Sequence, residues 1–114
     1  MEGKHYDPAF EVYKLIDDKG RVWFTSRIRP AQNPDDCKSG GDHPSAKSAP
    51  LETSDRQLSM YDPKTAKWSL VRTCFTTQHL YFAADADNTL WTSAGSPDSG
   101  VVGWLNTKMY ERTG

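Results

Sequence analysis

Asp17-Asp18-Lys19-Gly20-Arg21-Val22-Trp23-Phe24-Thr25 is the stretch that decides the fold, because it returns as Asp85-Ala86-Asp87-Asn88-Thr89-Leu90-Trp91-Thr92-Ser93. Setting Trp23 against Trp91 also sets Asp17 against Asp85, Gly20 against Asn88 and Val22 against Leu90. Each copy reads as an acidic turn followed by a β-rich strand. The match of Gly20 with Asn88 has a physical cause. Glycine and asparagine best tolerate the left-handed backbone that a tight turn requires.

Working outward, a second element accompanies the first. Tyr61-Asp62-Pro63-Lys64-Thr65-Ala66-Lys67-Trp68 is an aromatic strand end, a proline turn and the start of a returning strand. Asp-Pro-Lys-Thr suits a type I turn, with proline at its first central position and the aspartate bonding the backbone ahead. Tyr6-Asp7-Pro8-Ala9-Phe10-Glu11-Val12-Tyr13 opens in the same way, and Trp104-Leu105-Asn106-Thr107-Lys108-Met109-Tyr110 is a looser third copy, expected as a hairpin. No stretch carries apolar residues at helical spacing over three turns behind a cap, so no helix is expected. Strands are expected at roughly Glu11–Ile16, Val22–Arg27, Leu58–Tyr61, Trp68–Arg72, Leu80–Ala83, Thr89–Ser93 and Val101–Leu105.

Between Arg29 and about Asp55 the sequence changes character. It holds four of the seven prolines, the Gly40-Gly41 pair and few apolar residues. The alternation resumes after it with Leu58-Ser59-Met60-Tyr61, so residues 29–55 read as a long polar loop inserted in a hairpin. Within it, Asp35, Asp36, Cys37, Asp42 and His43 bring carboxylates, a thiol and an imidazole close together in sequence. Only Cys37 and His43 are strong zinc ligands, fewer than the three or four a site needs, so a solvated loop and no metal site are expected. Cys37 and Cys74 permit a single bridge; two unpaired thiols is the expectation, and a bridge would point to an oxidising compartment.

The chain has 114 residues, enough for one small domain. Fourteen Lys and Arg face fifteen Asp and Glu, for a net charge of -1, so the basic excess of a nucleic-acid binder is missing. No apolar run approaches the ~20 residues of a membrane span. Met1 leads into the polar Glu2-Gly3-Lys4-His5, so no signal peptide is expected in this sequence. Neither a phosphate-binding glycine loop nor a serine nucleophile elbow is present. Asp85-Ala86-Asp87-Asn88-Thr89 is rich in oxygen ligands but lacks the Gly and Glu of a calcium loop, and reads as a plain turn.

These residues carry a resemblance. Asp-x-x-Gly-x-Val-Trp-Phe-Thr followed by Tyr-Asp-Pro-x-Thr-x-x-Trp is similar to the blade repeat of bacterial β-propellers of the virginiamycin B lyase (streptogramin lyase) type. There, each blade carries His-Gly, an Asp-Gly turn, Leu-Trp-Phe-Thr and an Asp-Pro-x-Thr-Gly hairpin. His79-Leu80-Tyr81-Phe82 followed by Asp85 to Thr92 looks like one such unit, with Leu80 and Asn88 replacing glycines and one additional residue before the tryptophan. Phe75 to Met109 also resembles part of larger bacterial proteins that carry this propeller.

The resemblance implies an all-β chain forming a partial β-propeller of about two antiparallel blades over residues 1–114. A ring closes with about 4–8 blades, so the expected partners are the remaining blades of a larger protein or copies of this chain. The function implied is a non-catalytic ligand- or partner-binding segment of a bacterial propeller protein, without a cofactor. One alternative is a fragment of a metal-dependent carbon–oxygen lyase acting on a cyclic ester-containing peptide, with a divalent metal as cofactor. A self-assembling propeller scaffold is the other. In the family, histidines at the position of His79 lie near the channel mouth, which makes His79 the candidate catalytic residue and a ligand contact. Trp91 and Trp23 are the candidate ligand-stacking residues, although their matching repeat positions are explained with no ligand by a shared role in core packing, which is the stronger expectation. The family also implies an exported parent.

Overall fold

The computed structural model describes residues 14–26, 34–48, 50, 52, 56–93 and 100–114. Among the described residues seven strands form: β1 (Lys14–Ile16), β2 (Val22–Ser26), β3 (Gln57–Asp62), β4 (Lys67–Val71), β5 (Leu80–Phe82), β6 (Leu90–Ser93) and β7 (Val102–Leu105). They make two antiparallel sheets, one in the order β1-β2-β3-β4 and one in the order β5-β6-β7. The chain is thus mostly β, as the strand patterns indicate. Residues 11–13 of the first expected strand lie outside the described residues.

An acidic turn joins the first two strands of each sheet in the same manner. Gly20 N donates to Asp17 O over 3.1 Å, and Asn88 N to Asp85 O over 3.2 Å. Both Gly20 (φ 77°) and Asn88 (φ 49°) are left-handed, the conformation their side chains permit. The Asp17 and Asp85 carboxylates each accept the backbone N–H four residues ahead, from Arg21 and Thr89. At the Asp62-Pro63 turn, Lys64 N donates to Asp62 Oδ1 over 2.9 Å, the bond expected of an aspartate that opens a turn.

The sheets pack through one face each. β2 and β3 turn Trp23, Leu58 and Met60 inward, β4 adds Val71, and the second sheet answers with Leu90, flanked by Leu80, Phe82 and Leu105. Trp23 is fully buried and meets Phe82 and Tyr110 edge-on at centroid distances of 6.4 and 6.3 Å. Burying a side chain of this size contributes about 3 kcal/mol, so Trp23 is the largest single apolar anchor of the interface. A shared packing role for Trp23 and Trp91 is overturned. On β6 the buried positions are Leu90 and Thr92, while Trp91 points outward. Matching turns place the two tryptophans at the same position of their strands, opposite Leu15 and Tyr81, but the first sheet buries that face and the second sheet buries the other.

Two further expectations are corrected. Thr107–Thr113 forms helix α1, where a hairpin was expected. Its cap is Asn106, whose Oδ1 accepts from Met109 N over 2.9 Å and satisfies a donor that the first turn leaves open. The helix is too short to show apolar periodicity. Cys37 and Cys74, expected as free thiols, are joined in a disulfide with Cα atoms 4.9 Å apart.

That bond ties down the inserted segment. β2 and β3 stay paired from Val22↔Tyr61 to Ser26↔Gln57, and the chain leaves the sheet at that end. Two single 3₁₀ turns follow, Asp35–Cys37 and Pro44–Lys47. Gly41 between them is required by contact, because a Cβ there would collide with the Asp36 carbonyl. His43 opens the second turn, its Nδ1 accepting from Ser45 N at 3.2 Å and lying 2.8 Å from Ser45 Oγ.

A polar clasp closes the other end of the stack. The buried Asp17 carboxylate accepts from Lys19 N, Arg21 N, Arg21 Nε and Trp23 Nε1, all within 2.6–2.9 Å. Burial pushes this carboxyl up, but the hydrogen bonds from Trp23, Arg21 and Lys19 outweigh it and hold Asp17 below the ordinary carboxylate range. Glu111 of α1 pairs with Lys19 at 2.5 Å and Arg21 at 2.8 Å, while Lys108 reaches Asp18 at 2.9 Å. The helix is therefore held across the first acidic turn by charge.

Candidate functional site

The outward face of the second sheet carries an aromatic row. Tyr81 on β5 pairs with Trp91 on β6, and Trp91 with Trp104 on β7. Direct cross-strand partners project the same way, so the three rings stand side by side. Trp91 and Trp104 lie 5.9 Å apart, tilted by 37°. Core side chains of this kind are normally covered, yet Tyr81 is 68% exposed and Trp104 69% exposed. Val102, also exposed, stands one row along, opposite Ser93.

The opposite face of the stack is similar. Ile16, Val22, Tyr61 and Trp68 follow one another across all four strands of the first sheet. Trp68 is 63% exposed and rests against Tyr61 and Phe24, with centroids 5.0 and 5.6 Å away. Core packing is therefore the role of Trp23 alone among the four tryptophans.

The expected site residues are divided by this arrangement. Trp23 is inside the core, with its indole N–H given to Asp17. Trp91 is the middle ring of the outward row. His79 is exposed just before β5, two positions ahead of Tyr81. Ser93 bonds to two successive residues there, accepting from Gln78 N and donating to His79 O, so the ladder ends in a bulge beneath the histidine. His79 and Trp91 thus belong to the same end of one sheet, and Trp23 is apart from both. Cys37, one of the two candidate zinc ligands, has its sulfur committed to Cys74. Among the described residues no group of three metal-ligating side chains converges.

A second feature was not legible in the sequence. A cavity of about 650 Å³ opens between the 3₁₀ turn at Pro44, the exit of β4 at Arg72 to Phe75, and β7. Its walls come from five chain segments, around Pro44, Leu58, Cys74, Thr92 and Gly103, and the Cys37–Cys74 bond holds two of them together. The Phe75 ring packs directly over Gly103, and a Cβ there would have to displace it. The isolated histidine His43 and the glycine in β7 were the sequence traces of this cavity, and neither signals a cavity by itself.

No protein-family model, curated protein or solved structure matches this chain.

Proposed function

We propose that this chain is a non-catalytic binding segment of a larger bacterial β-propeller protein, working through the outward faces of its two sheets. The observation that supports this reading is the pair of exposed aromatic faces, centred on Trp104 and Trp68, on either side of a single buried interface. Blades of a propeller are covered by a neighbour on each face, and a stack of two leaves its outermost faces open. Contiguous exposed apolar surface of this kind marks an interaction site. Four in-register strands per sheet in one case and three in the other are also compatible with blades.

The test is the solution mass of the chain by light scattering after gel filtration, across a hundredfold range of concentration. Association that is suppressed by Trp104→Lys or Trp68→Lys is the expected result. A concentration-independent monomer, unaltered by either substitution, would overturn the reading.

A further inference from the structure

We propose that the groove along the outer edge of β7 is a peptide-binding site, taking an extended segment with an apolar side chain and a free C-terminal carboxylate. It shares Val102 and Trp104 with the outward face of the second sheet, but it rests on the strand edge and Arg72 and does not depend on what covers that face.

The edge itself is the first argument. The first sheet has four strands and the second three, and among the described residues no strand pairs with the outer side of β7. An unpaired edge presents a row of backbone donors and acceptors that matches another extended backbone. The cavity follows this edge. It is lined by Val101, Val102, Gly103, Trp104 and Leu105 in succession. Successive residues of a strand face opposite ways, so a space touched by all five reaches the strand's side, and Thr92 of β6, opposite Gly103, extends it over the inner face of the sheet.

Charge supplies the second argument. Among the described residues, no acidic side chain lines the cavity. Arg72 does, exposed at the exit of β4 and with no carboxylate partner among the described residues. His43 lines it too. Because His43 Nδ1 accepts the Ser45 N–H, the neutral ring carries its proton on Nε2, leaving a second donor. Phe75, Val71 and Leu58 supply an apolar recess, beside the hydroxyl residues Ser45, Ser48, Thr73 and Thr92. One cation beside an apolar recess suits one carboxylate attached to an apolar side chain. An extended backbone for the edge, with that terminus at Arg72, satisfies both surfaces at once.

The probe is a library of hexapeptides with free C-termini, screened against the oxidised chain, with the same library amidated as its counterpart. Peptides ending in an apolar residue are expected to be enriched, and amidation or Arg72→Gln to weaken them about tenfold, the scale of a lost charge-assisted hydrogen bond. Arg72 is exposed, so circular dichroism of Arg72→Gln should match the parent. Two versions of the best peptide, N-methylated at odd or at even amides, test the strand pairing: one should lose binding and the other keep it. No enrichment, equal binding of free and amidated peptides, or equal binding of both methylated forms would overturn the proposal. Tight binding of a simple apolar carboxylic acid, with no gain from the peptide backbone, would overturn it as well.

Discussion

Asn88 Nδ2 donates to Asp18 Oδ1 over 2.9 Å, joining two acidic turns that lie 70 residues apart in sequence. Asp18 also receives Lys108, so one carboxylate connects both sheets and α1. Its neighbour Asp17 works differently, buried beneath four donors. The two adjacent aspartates should therefore differ sharply under substitution. Asp18→Ala removes a solvent-screened link and should cost under about 1 kcal/mol. Asp17→Asn leaves Arg21 short of its buried counter-charge and turns an amide donor toward other donors, for a loss of about 3–5 kcal/mol. Urea denaturation of the two variants measures the contrast.

The same carboxylate gives stability a pH dependence of known sign. Asp17 is held below its ordinary range in the folded chain, and Glu111 likewise by the hydrogen bond from Lys19 and the charge of Arg21. The folded state therefore binds fewer protons than the unfolded one in acid. This contribution is fully present above the unfolded carboxylate range, about 4. It is lost as pH falls through the lower folded-state values. The urea midpoint should be flat from pH 7 to about pH 5 and drop below about pH 4. Asp17→Asn should flatten that drop, and an unchanged slope in the variant would show that other groups govern acid unfolding.

Ala66 holds a left-handed backbone, φ 54°, at the end of the Pro63 turn. A methyl group there costs about 1–2 kcal/mol relative to glycine. Glycine's greater freedom in the unfolded chain returns part of the difference. Ala66→Gly should consequently stabilise the protein by about 0.5–1 kcal/mol, seen as a higher urea midpoint at unchanged slope.

Reading the turns was sufficient to locate the seven described strands, because the bonds that set a turn are local: Asp62 accepts from Lys64 N, and the backbone N–H groups of Gly20 and Asn88 reach carbonyls three residues back. Which face of a strand becomes buried is not local. Trp23 and Trp91 follow equivalent turns, yet only Trp23 meets the opposing sheet, through Phe82. The partner sheet decides that, and strand patterns that are aromatic on both faces leave the choice open. Helix α1 escaped notice for a related reason, since its seven residues owe their position to Asn106 and to Glu111 reaching Arg21. The cavity depends on segments distant in sequence meeting around Arg72, Ser45 and Gly103, and no spacing in the chain announces that.

Joining Cys37 to Cys74 closes a separation of 37 residues. By loop-closure entropy such a link stabilises a fold by up to about 4 kcal/mol, and native bridges typically deliver about 2–4. Reduction, or Cys37→Ser with Cys74→Ser, should lower stability by that amount. It should also release the turns at Asp35 and Pro44 from β4 while leaving Trp23 packed. Hydrogen exchange reads both effects: amides of residues 35–48 should lose protection first, and those of β2 and β3 should keep it up to the global transition.

The four tryptophans supply the last prediction, because their surroundings differ so much. Trp23 is fully buried and hydrogen-bonded, whereas Trp68, Trp91 and Trp104 are exposed. In variants retaining one tryptophan each, with phenylalanine elsewhere, Trp23 should emit furthest to the blue and resist iodide. The three outward rings should be quenched freely in the isolated chain. Trp23→Phe should cost the most stability of the four, about 2–3 kcal/mol, since it shrinks the central side chain and takes one donor from Asp17. Losing Trp104 or Trp68 should cost under about 1 kcal/mol, the scale of one cross-strand pair. If iodide instead failed to reach Trp104 at concentrations where the chain is monomeric, the outward row would be covered by the chain itself, and the binding face proposed for the second sheet would not be available.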